Sequence, residues 1–160
     1  MANVDEIPMQ EDMQFNTLQD DILYMVLTAS ELAQELTGTI RKCQKPQRNQ
    51  PPKVEDCIIS SLSIEAGSVQ FGTSNVNIYV PDIPACTTHS SEPADTEAAT
   101  ARIKQLAGLA YAALKSHYCE NGWAFECVAQ DVIEEAALHC HRIWFKVCLL
   151  YTSDAADDKA

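Results

Sequence analysis

Only five glycines occur in the 160 residues, and none sits in a GxGxxG or GxxxxGK arrangement, so the backbone cradles that hold nucleotide phosphates are missing. Nor does any apolar run approach the roughly 18 to 20 residues a helix needs to cross a bilayer. Basic residues are scarce. Eleven Lys and Arg stand against 23 Asp and Glu, and the resulting net charge of -12 repels phosphate backbones, which argues against direct nucleic-acid recognition. Positions 1–21 hold no Lys or Arg but carry Asp5, Glu6, Glu11, Asp12, Asp20 and Asp21, the reverse of the basic start of a secretory signal. An intracellular protein without a membrane span is therefore expected. The seven cysteines include no CxxC pair, are odd in number and lie far apart, so they read as reduced thiols, several buried as small hydrophobes.

What is present suits one globular core: 46% hydrophobic and 21% charged residues in a chain of single-domain length. Residues 1–16 are polar and acidic and read as a mobile arm. From Thr17 the residues Leu18, Ile22, Val26, Ala29 and Ala33 recur at helical spacing, predicting an amphipathic helix to about Leu36 with a break near Ser30, stopped by Thr37-Gly38. Thr39 to Cys43 reads as a short strand and the Pro-containing stretch 44–53 as a loop. Asp56 to Ile64 is rich in β-branched residues, and Val76, Ile78 and Val80 alternate with polar neighbours, so both are strands. The Ser, Thr and Pro rich stretch 84–94 is a surface connection. A second helix, starting at Asp95 or Thr96 and running about 20 residues, carries Ile103, Leu106, Ala107, Ala110, Ala113 and Leu114 as its stripe. Asn121-Gly122 marks a turn into a strand reaching about Glu134. A last strand, His139 to Val147, puts Ile143, Phe145 and Val147 on one face and Arg142, Trp144 and Lys146 on the other. This order predicts an α+β fold, a mostly antiparallel sheet of about four to five strands with two helices packed on one face.

Chemistry-bearing patterns are sparse. His139 and His141 alternate on the expected strand, as two zinc ligands would, but Cys140 points the other way and no third ligand stands at a recognised spacing. Half-exposed histidines are the plainer reading, and no metal or other cofactor is expected. Cys and His are both present, yet nothing marks a nucleophile, its base and an orienting group, so the chain does not read as an enzyme. Glu134-Glu135 and the early acids lack the glycine and ligand spacing of a calcium loop. Arg41, Lys42, Lys45 and Arg48 form the one basic cluster and suit an acidic partner such as the arm of a neighbouring copy. Trp144, between Arg142 and Lys146 on a polar face, is the other candidate for a subunit interface.

Two resemblances concern the chain as a whole. The run Cys148-Leu149-Leu150-Tyr151-Thr152-Ser153-Asp154-Ala155-Ala156-Asp157 resembles the translation of a sequencing adapter, which makes residues 148–160 a non-native tail on a domain spanning 17–147. Other segments resemble, in order, the tail completion (tail terminator) and head-tail joining proteins of tailed bacteriophages. These are Leu36-Thr37-Gly38-Thr39-Ile40-Arg41-Lys42, Glu55-Asp56-Cys57-Ile58-Ile59-Ser60, Asn75-Val76-Asn77-Ile78-Tyr79-Val80-Pro81, Ala101-Arg102-Ile103-Lys104-Gln105-Leu106-Ala107 and His141-Arg142-Ile143-Trp144-Phe145-Lys146-Val147. The string Val76 to Val80 looks like small prophage proteins of gut Bacteroidetes. The resemblance implies a structural virion assembly protein without catalytic residues. Such a protein is found in the virion, and in the host bacterial cytoplasm during assembly. It acts as a ring-like homo-oligomer against tail tube and head-connector proteins. The alternative is a small adaptor or regulatory domain from a mobile element, which stays monomeric until it meets a different partner.

Overall fold

The structure, a computed structural model, describes residues 16–46, 53–62, 69–85, 96–118 and 123–152. The elements run α1 (Asn16–Thr28), α2 (Glu31–Glu35), β1 (Ile40–Lys42), β2 (Asp56–Ser61), β3 (Val69–Pro81), β4 (Ile83–Pro84), β5 (Thr96–Glu97), α3 (Thr100–Leu114), β6 (Ser116–Tyr118), β7 (Trp123–Glu135), a 3-10 turn at Ala136–Leu138 and β8 (Cys140–Thr152). Residues 1–15 of the expected arm over 1–16, Arg48, the turn at 65–67, the Asn121-Gly122 turn and positions 153–160 lie outside the described residues, while Asn16 opens α1.

The fold is mixed α and β, dominated by a curled sheet of six strands in the order β1-β2-β3-β8-β7-β6. That is larger than the expected sheet, and it is mixed. β1 runs parallel to β2, Ile40 facing Cys57, while every other pair in the large sheet is antiparallel. The stretch from Cys43 to Glu55 is long enough to return the chain to the same end of the sheet, which a parallel pair requires and a tight hairpin forbids. β8 lies at the centre, paired along its length with β3 on one side and β7 on the other.

Alternation sorts the strands into two faces, as a period of two demands. Val76, Ile78 and Val80 of β3, Ile143, Phe145, Val147 and Leu149 of β8, and Cys57 and Ile59 of β2 are buried beneath the helices. Ile22, Leu23 and Leu27 of α1 and Ile103, Leu106, Ala110 and Leu114 of α3 close the core from above. Each such side chain contributes about 1.5–3 kcal/mol when fully buried, and Phe145→Ala would remove about 3–5 kcal/mol by also leaving a cavity.

The expected helix break falls at Ser30. Its hydroxyl donates to the Leu27 carbonyl at 2.6 Å and its backbone is extended, so a local side-chain bond competes with the helical one. Gly38 ends the segment for a steric reason rather than for a left-handed turn, because a Cβ there would overlap the Glu55 carbonyl and the Asp56 carboxylate.

Three further corrections concern the second half of the chain. Thr96–Glu97 pairs with Ile83–Pro84 as a small ribbon, so α3 begins only at Thr100 and is about 22 Å long at 1.5 Å per residue. Ser116–Tyr118 leaves the helix to form β6, held where His117 stacks on Phe125 with ring centroids 5.5 Å apart. His139 is left-handed, φ 51°, closing the 3-10 turn, so β8 starts at Cys140; at its other end it runs on to Thr152, past Val147, with Leu149 buried.

Candidate interaction surface

The face of the sheet opposite the helices has three zones. At one end, the segment after β1 folds over the strands: Pro46 is buried, and Lys45 Nζ lies 3.9 Å from the centroid of the Tyr79 ring. Ile58 and Cys140 are buried on this face as well. In the middle runs a polar ladder. Arg142 donates to Glu135 at 2.9 Å and to Asn77 at 2.7 Å, and the Trp144 indole N–H donates to Asn75 at 2.8 Å. These diagonal pairs are the sheet's counterpart of helix side-chain pairs and lock β3, β8 and β7 in register.

The far end is apolar. Phe71 faces Leu150 across β3 and β8, Leu150 faces Ala124 across β8 and β7, and Ala124 faces Tyr118 across β7 and β6. The row edges a shallow hollow of about 280 Å³. Phe71 is 73% exposed and Tyr118 77%, values seldom left to water on large rings without a partner. Leu150 and Cys148 of this zone come from the stretch that resembles a translated adapter; Phe71 and Tyr118 do not.

The basic cluster does not act as one patch. Lys42 pairs with Asp21 at 2.6 Å and lies 5.1 Å from the Tyr24 ring centroid, on the helix side. Arg41 is exposed on the edge strand, Lys45 sits on the open face, and Arg48 is outside the described residues. Trp144 is on the open face, half-buried rather than projecting.

The two histidines do not meet on one face of a strand. His139 is exposed in its turn, whereas His141 Nδ1 lies 2.6 Å from Asp82, whose backbone N–H bonds to the His139 carbonyl. Among the described residues no group of three or more His, Cys, Asp or Glu could hold a metal ion. Two thiols are muted. Burial pushes Cys57 up to about 12, and the hydrogen bond from exposed Cys43 to Asp20, 3.2 Å long, holds that thiol protonated beyond its usual range.

Two buried polar networks serve the scaffold. Asp20 accepts from Ser61 at 2.7 Å, Ser61 and Ser74 lie 2.7 Å apart, and Ser74 donates to Gln19 at 2.9 Å, tying α1 to β2 and β3. Glu55 accepts from Arg102 at 2.7 and 2.8 Å and from the Thr37 N–H at 3.2 Å, tying α3 to the start of β2. Burial pushes the Glu55 carboxyl up, but its bonds to Arg102 and Thr37 outweigh that and leave it below its ordinary value.

No protein-family model matches the chain, and comparison with curated proteins returns no match either. No helix among the described residues is long and apolar enough to cross a membrane. The aromatic row and the Glu55-Arg102 anchor are what sequence reasoning missed. An aromatic at Phe71, in phase with Thr73, Asn75 and Asn77 on a polar face, was the available signal for the first. The second joins residues 47 positions apart and has no local signature.

Proposed function

We propose that this protein is a structural, non-catalytic component of phage virion assembly, completing or terminating the tail or joining it to the head through ring-like self-association. The observation that carries the reading is the sheet face left open by the helices, with the Phe71 and Tyr118 rings exposed at one end. Large exposed aromatics beside a polar ladder have the make-up of a protein interface, an apolar anchor with a polar surround. The order of segments that resembles tail completion proteins supplies the rest, including the tail tube and head-connector partners and a place in the virion.

Size-exclusion chromatography with light scattering and negative-stain imaging of the full chain tests it. A discrete closed ring that caps purified tail tubes is the expected result. A species that stays at the mass of one chain at every concentration refutes ring assembly and favours the adaptor reading.

A further inference from the structure

The outer edge of β7 meets no other described strand over most of its length. β6 covers only Ala124 to Glu126, and among the described residues no strand pairs with the edge from Val128 to Glu135. A bulge at Val128 ends the covered part. The free stretch spans about 26 Å at roughly 3.3 Å per residue. Val132 shows how its backbone is disposed: its N–H bonds to the Asp131 carboxylate at 2.8 Å instead of to β8. That N–H points outward, and alternation sends those of Gln130 and Glu134 the same way. Val128 and Val132 are exposed, and the charged groups along this edge are Asp131, Glu134 and Glu135, the last already paired with Arg142. The opposite edge of the sheet is β1, whose outer side also pairs with no described strand and whose charges are basic, exposed Arg41 and Lys42, the latter already paired with Asp21.

We infer that the β7 edge from Val128 to Glu135 is the docking site for the β1 edge of a second copy of this chain, so that the sheet continues from one subunit to the next. The inference rests on the ring-assembly reading. Two features select this occupant. Following the pairings across the sheet, β1 runs opposite to β7, so repeating the subunit without inverting it brings a neighbour's β1 antiparallel to β7. Charge excludes the symmetric alternatives, since β7 against β7 sets acid on acid and β1 against β1 sets base on base, whereas β7 against β1 is attractive. A contact between unlike patches is heterologous, and it closes into a ring when the rotation per subunit permits.

Light scattering on three full-length chains tests this: the parent, one carrying Asp131→Lys and Glu134→Lys, and one carrying Arg41→Glu. The parent assembles. Each reversed chain alone falls to the mass of one subunit, 17.7 kDa for the parent sequence, with its circular dichroism unchanged. Mixing the two reversed chains restores the parent mass, because each β7 again meets a β1 of opposite sign. Reversed chains that assemble like the parent overturn the edge contact and leave the ring standing; a parent that is monomeric overturns both. Should a reversed chain fail to fold, zero-length carbodiimide crosslinking of the parent decides. Bonds between copies from Lys42 to Asp131 or Glu134 support the contact, and their absence from a crosslinked oligomer overturns it.

Discussion

Replacing Arg102 with leucine leaves the Glu55 carboxylate buried without its cation. In the parent, Arg102 grips both carboxylate oxygens, at 2.7 and 2.8 Å, and reaches on to the Glu35 side chain at 3.1 Å. Breaking a buried pair from one side costs about 3–5 kcal/mol. The Arg102 side chain is 27% exposed, so water enters part of the vacancy and screens the stranded charge, which lowers the expectation to about 2–3 kcal/mol. With a urea m-value near 2 kcal/mol/M, the unfolding midpoint of Arg102→Leu should fall by about 1–1.5 M at pH 7. The pH dependence gives a sharper test. In the parent, Glu55 titrates below its ordinary 4.5, so its contribution is present above that value and is lost only as pH falls through the lower, folded one. In the variant, burial is no longer outweighed and the folded carboxyl titrates above 4.5, so its penalty is relieved as pH falls toward 5. The stability difference between parent and variant should therefore shrink between pH 7 and pH 5, and adding Glu55→Gln should recover part of it. A cost below about 1 kcal/mol, or a gap that widens on acidification, refutes the reasoning.

Two other outcomes are expected. Gly72→Ala places a Cβ on the buried Gln19 amide, which Ser74 holds in place, so differential scanning calorimetry should show a loss of about 1–3 kcal/mol; an unchanged melting temperature would mean that Gln19 moves aside freely. In thiol labelling of the folded chain, Cys57 should stay unreactive, and exposed Cys43 should react with a pH midpoint above the 9.0 of an ordinary cysteine, since the Asp20 bond disfavours its thiolate; a Cys43 midpoint at or below 9.0 contradicts that bond.

Strong periodicity was legible in the sequence and long-range geometry was not. Val76, Ile78 and Val80 and the split of β8 into Ile143, Phe145 and Val147 against Arg142, Trp144 and Lys146 fall on the faces that their spacing predicts. Short elements escaped: β6 is three residues long and β5 two, too brief for a period to register. The parallel alignment of β1 depends on where the chain between Cys43 and Glu55 travels, which no local pattern states. Of the candidate site residues, Trp144 and Lys45 reach the open face, but Lys42 turns to α1 because Asp21 and Tyr24 are there to receive it.

The central position of β8 orders events during synthesis. It is translated after the other described strands, yet β3 and β7 each need it as their inner neighbour. Until the ribosome has released Cys140 to Thr152, those two strands present unsatisfied hydrogen-bonding rims to solvent, the kind of surface that chaperones shield and that recruits stray chains. Closure is then a late, non-local event that brings Val69 against Thr152, and folding should be slow for a chain of this size.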